Sequence, residues 1–180
     1  ICGADSVIFD DAKMTVRWNA LGELKNSYEE AKVRQPIRIV IDSKNRLTPD
    51  LAIFKTASKI ILIRTSIENE QTWPHFVEQV VISKAKDSEQ ISLKHLLIYL
   101  AQQGLNDILI ESGAKLAGAF MSENLVDELI LYQAPKLIGS EGKSLVDIPA
   151  ILQLSEAKDL NITDISMVGK DIRITAMFSR

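Results

Sequence analysis

Glu111 closes a short apolar run, "DILIE" (107–111), and Gly113 follows it ahead of "AKLAGAF". A carboxylate at the end of a strand accepts hydrogen bonds from hydroxyl or amino groups. A glycine lets a ligand approach the main chain. A helix starting there offers free N–H groups and the positive end of its dipole to an anion, phosphate above all. Ala114, Ala117 and Ala119 keep the first turns low, and Gly118 permits close packing or contact. On spacing alone the pattern is weak. It lacks the Lys-Ser/Thr of a Walker A loop, and Lys115 stands where a dinucleotide fingerprint needs its second glycine. A tight turn beside a solvated glutamate fits the same residues equally well.

A second group lies in "SVIFDDAKMTVRW" (6–18). Asp10 and Asp11 suit acid–base work or a metal, and Arg17 suits a phosphate. A polar turn with a surface arginine accounts for them as well. "IVIDS" (39–43) again ends an apolar strand in small polar groups, with Ser43 last. Three strand ends rich in Asp, Glu and Ser carry more weight together than singly. Metal and nucleophile chemistry has little support. His75, His95 and Cys2 have no partner at ligand spacing, and the sequence contains no His-Glu-x-x-His, Cys-x-x-Cys or Gly-x-Ser-x-Gly. His95 falls on the polar side of an amphipathic helix, so a surface position is expected.

The elements that must position these groups follow from hydrophobic period and turn residues. Strands are expected at 6–9, 14–18, 37–42, 59–64, 78–83, 107–111 and 126–134, with weak helical character over 19–34. "SLKHLLIYLAQQG" (92–104) reads as a helix with Ser92 as N-cap and Gly104 just past its end. A second helix is expected over 113–125. Strands 161–168 and 171–178 flank Gly169–Lys170 as a hairpin. The alternation predicts α/β architecture with parallel strands, right-handed crossovers and an antiparallel C-terminal edge.

The 180 residues suit one domain, 1–180, with a real core. With 46% hydrophobic and 25% charged residues, the composition is ordinary for a globular protein. A net charge of −3, from 21 Lys+Arg against 24 Asp+Glu, provides no global field for nucleic acid or an anionic membrane. No apolar run approaches a membrane span. One cysteine, Cys2, makes a cytoplasmic setting the default. The chain opens on Ile1 without a basic leader, so a fragment, processed product or domain is expected.

The stretches "DDAKMTVRW", "RQPIRIVIDSKNR" and "ILIESGAKLAGAFMSENLVDELILYQAPKLIGSEG", with the hairpin tail, resemble the reductase domain of bacterial bifunctional riboflavin-biosynthesis proteins. The resemblance runs from about Gly3 nearly to the end and is most specific over 108–139. It implies a three-layer dihydrofolate-reductase-like fold with a mostly parallel central sheet. The implied reaction is NADPH-dependent reduction of the ribosyl group of 5-amino-6-(5-phosphoribosylamino)uracil, hydride going to C1′. Position by position, it implies that Gly113, Ala114, Lys115, Leu116, Ala117, Gly118 and Ala119 hold the NADPH phosphates, with Ser43 as a further cofactor contact. Ser6 and Asp10 would lie along the cofactor near the reacting end. Met14, Arg17 and Glu111 would contact the phosphorylated pyrimidine, Asp10 and Glu111 being the catalytic candidates. No metal is implied, and a homodimer is.

The chain departs from that pattern at Ala12, where proline is usual, and at Met14, where leucine is usual. The family's first strand and the upstream zinc deaminase domain have no counterpart in it, so weak NADPH binding by this stretch alone is expected. Two other readings stay open: a nucleotide-binding or assembly module without turnover, and a related reductase acting on another pterin or pyrimidine.

Overall fold

The computed structural model describes residues 1–68 and 71–179. The chain divides into two compact units, Ile1–Gly113 and the part from Ala114 onward. Among the described residues no helix is long and apolar enough to cross a membrane.

Four parallel strands organise the first unit. They are β1 (Cys2–Gly3), β2 (Arg38–Ile41), β3 (Ile60–Arg64) and β4 (Val77–Val81), paired in that order. The last three match expected strands. β3 is buried along its whole length, which is why its first four residues, "IILI", are a continuous apolar run instead of an alternating one. The core gathers Cys2, Val7, Val40, Leu47, Ile53, Phe54, Ile60 and Leu62. Each large aliphatic buried there contributes about 1.5–3 kcal/mol. Helix α2 (Leu93–Gln102) has the expected ends: Ser92 Oγ accepts the His95 N–H at 3.3 Å, and Gly104 takes φ 75°. Its buried face is Leu93, Leu96 and Leu100, and His95 is exposed, its Nδ1 within 2.8 Å of Ser83 Oγ.

Three expected strands are corrected. "SVIF" lies inside helix α1 (Ala4–Asp10). A four-residue apolar run fits either period. Here Ala4 and Val7 are buried and Ile8 packs on the core, a helical spacing, while Phe9 is left 78% exposed. "MTVRW" forms no strand. Met14 takes φ 54°, and the only ladder-like bonds come from a side chain: Val16 N–H donates to Gln35 Oε1 at 2.9 Å and Gln35 Nε2 donates to Val16 O at 3.1 Å. The segment 107–111 is irregular. Its backbone partner among the described residues is Ile1: the Ile1 nitrogen donates to Leu109 O at 2.5 Å and the Glu111 N–H to Ile1 O at 2.9 Å. That is the pattern of one parallel bridge. Residues 19–34 form short 3₁₀ turns, with no regular α-helix.

A buried ion pair holds the loop after β2. Arg64 Nη2 and Asp42 Oδ2 are 3.4 Å apart, both essentially inaccessible. Arg64 Nη1 donates to Gln79 Oε1 at 2.8 Å, and its guanidinium lies 5.2 Å from the centre of the Trp73 ring. Asp42 accepts the N–H groups of Arg46 and Leu47, each at 3.0 Å. Arg64→Ala strands the carboxylate in the core and is expected to cost about 3 kcal/mol, since removing one partner of a buried pair is far costlier than replacing both. Denaturant titration checks this; an unchanged midpoint refutes it.

The second unit contains helix α3 (Ala114–Ser122) and strands β5 (Glu128–Gln133), β6 (Leu160–Val168) and β7 (Asp171–Phe178). The strands form an antiparallel sheet in the order β5-β7-β6. The hairpin turns through Gly169 at φ 63°, which a primed two-residue turn requires. The expected α/β class, the parallel sheet and the antiparallel C-terminal hairpin are all present. The difference is that β5 joins the hairpin as an antiparallel strand instead of extending the parallel sheet.

Candidate active site

Because β1 to β4 run in parallel, their carboxyl ends share one edge, where open α/β sheets bind ligands. Ser6 and Asp10 follow β1 on α1, and Ser43 follows the neighbouring β2. Arg46 Nη2 meets Asp5 Oδ1 at 2.6 Å and ties the loop after β2 to the start of α1. Ser43 is half-buried, and its carbonyl accepts the Thr65 hydroxyl at 3.0 Å. The acidic pair divides. Asp11 Oδ1 accepts the Ala52 N–H at 3.1 Å, a structural task, with Asp11 itself at φ 46°. Asp10 is exposed, and its carboxylate makes no hydrogen bond or ion pair among the described residues.

A cavity of about 310 Å³ opens in the first unit. Met14 and Glu111 both line it, so two residues nearly a hundred positions apart share one space. Ile37 and Leu105 supply apolar wall, and Asp107 and Arg38 complete its polar lining. The Glu111 carboxylate is exposed and makes no hydrogen bond or ion pair among the described residues. Arg17 lies outside this lining, exposed and likewise without an ion pair among the described residues. Burial pushes the Cys2 thiol up to about 11, which leaves it a packing residue and no nucleophile at neutral pH. Asp107 and Arg38 were missed from sequence. Arg38 leaves a trace there as a lone cation inside the β-branched run "IRIVI", and Asp107 as an acid four residues before Glu111.

The glycine turn separates into two cases. Gly113 has an ordinary φ, and a Cβ built there meets no atom within 4 Å. Neither the backbone angle nor packing among the described residues requires glycine at this position. Gly118 is buried in α3 of the second unit. A Cβ there falls 2.0 Å from the carbonyl oxygen of Asp147, whose N–H donates to Ala114 O at 3.0 Å. Packing alone accounts for this glycine. Gly118→Ala is expected to lower stability by about 1–3 kcal/mol through overpacking, measured as a fall in the unfolding midpoint; no fall contradicts the close approach. Ala114, Lys115, Leu116, Ala117 and Ala119 all lie on α3, Lys115 being exposed.

A family model described as the RibD C-terminal domain matches residues 1–174. "Riboflavin biosynthesis protein RibD" of Escherichia coli (strain K12) is 39% identical over 168 residues, covering 93% of this chain and 45% of that protein. The chain thus spans about half the length of the first curated relatives it matches. The "5-amino-6-(5-phosphoribosylamino)uracil reductase" of Buchnera aphidicola subsp. Acyrthosiphon pisum is 34% identical over 175 residues, covering 97% of this chain and 83% of that protein. Among solved structures, Acinetobacter baumannii RibD matches with a TM-score of 0.80 at 27% identity, covering 99% of this chain and 46% of that one.

Proposed function

We propose, on the premise that this chain belongs to the RibD C-terminal domain family, that it carries the reductase step of riboflavin biosynthesis. The substrate is 5-amino-6-(5-phosphoribosylamino)uracil and the cofactor NADPH. The observation that carries the reading is the shared cavity of Met14 and Glu111, on the stretch that leads directly into the open Gly113.

In this reading Glu111 accepts hydrogen bonds from the substrate and orients it, Met14 supplies apolar contact, and Arg17 pairs with the phosphate. Gly113 and the first turns of α3 receive the cofactor phosphates on free N–H groups. Ser6 and Ser43 line the cofactor, and Asp10 serves the reacting end. NADPH, when bound, supplies hydride. The bond from C1′ to the ring oxygen opens with a proton going to that oxygen, and hydride would then reduce the resulting C1′–nitrogen double bond, leaving a ribityl chain that keeps its phosphate. Residues that hold two reactants in contact account for most of such an acceleration.

The test is substrate-dependent NADPH oxidation by the full-length protein carrying this chain. Turnover only with an unphosphorylated pterin, or binding without turnover, overturns the reading. The same reading takes 1–180 as a single reductase domain, set in the cytoplasm. It includes a homodimer. The face of β6 bearing Ile162, Ile165 and Met167 is apolar and 55%, 62% and 65% exposed, a surface that favours covering. Light scattering that finds only monomer at micromolar concentration removes the homodimer.

A further inference from the structure

Arg38, the first residue of β2, is 2% exposed and meets no carboxylate within ion-pair distance among the described residues. Its partners are four main-chain carbonyls. Nη1 donates to Ile53 O at 2.6 Å and Lys13 O at 3.2 Å; Nη2 donates to Thr56 O and Ser58 O, each at 2.8 Å. Burying a cation without a counter-ion is costly, and an apolar residue of similar size fills a core at lower cost. What the guanidinium alone provides is a planar fork that reaches several acceptors at once. Here it joins segment 53–58 to Lys13.

The Lys13 carbonyl belongs to the peptide that enters Met14, whose φ of 54° is unfavourable for an unbranched side chain. Asp11, at φ 46°, is tied to the same region through Ala52. The 11–14 turn is therefore held in a strained form at two points. Met14 and Arg38 line the same cavity, and Met14 packs against the core.

We infer that Arg38 is a positioning residue: by holding the Lys13 carbonyl it fixes the left-handed turn at Met14 and so sets the Met14 wall of the substrate cavity. This rests on the reductase reading for its kinetic consequence, and on the structure alone for its conformational one.

The experiment compares Arg38→Lys with the unmutated full-length protein. Lysine keeps the charge and loses the fork. The Met14 methyl resonance, assigned through Met14→Leu, is expected to move toward the position of an exposed methionine. KM for the phosphoribosylaminouracil is expected to rise about tenfold, as for one lost orienting hydrogen bond, with kcat and NADPH affinity within about threefold of the original. A folded Arg38→Lys protein with an unmoved Met14 resonance overturns the inference. So does a loss confined to kcat. If the unmutated protein shows no reductase turnover, the reductase reading fails, and the resonance still decides the role of Arg38. If Arg38→Lys does not fold, the unmutated protein decides it. The Arg38 Nη protons should then exchange slowly with solvent, and exchange at the rate of a free guanidinium refutes the clamp.

Discussion

Glu111→Gln in the full-length protein is expected to lower kcat/KM by roughly 10- to 100-fold, the equivalent of a charge-assisted hydrogen bond lost in the transition state. The substitution keeps shape and length and removes only the charge. Glu111 is exposed at the cavity and its carboxylate makes no hydrogen bond or ion pair among the described residues, so removing its charge breaks no specific contact in the fold. The unfolding midpoint should therefore stay where it is while turnover falls. A Glu111→Gln protein with unchanged reductase kinetics removes the principal substrate contact assigned to this chain. A protein that loses stability instead shows Glu111 to be structural.

Gly113→Val should weaken NADPH binding by roughly tenfold or more, because a branched side chain blocks close approach to the N–H groups at the start of α3. Stability should change little, since the open space around Gly113 accepts a Cβ and its φ makes no demand for glycine. Gly118→Ala, five residues on, should behave in the opposite way, its Cβ falling 2.0 Å from Asp147 O. Measuring nucleotide affinity and unfolding midpoint for both variants separates a glycine kept for a ligand from one kept for packing. Equal affinity in Gly113→Val and the original protein refutes the phosphate-binding role.

The sequence by itself determined what depends on neighbours along the chain. The apolar runs at β2, β3 and β4 are long enough to read as strands. Ser92 and Gly104 bound α2 because capping is a matter of a few residues. Gly169–Lys170 set the final turn, and the stretch 108–139 carried the family. The tertiary structure decided what depends on distant partners. "SVIF" became helical because Ala4, Val7 and Ile8 had a core to pack on, while periodicity over four residues is ambiguous. "DILIE" is irregular and meets the backbone of Ile1, more than a hundred residues away. β5 turned antiparallel because β7, forty residues later, offered its edge. The candidate site divides in the same way. Residue type pointed to Glu111 and Gly113. Only the folded chain brought Met14 and Glu111 to the lining of one cavity, gave Asp11 a structural bond that Asp10 lacks, and gathered carbonyls from positions 13 and 53–58 around Arg38. Hydrogen bonds and cavities join residues that are far apart in sequence, and no local pattern encodes which of them will meet.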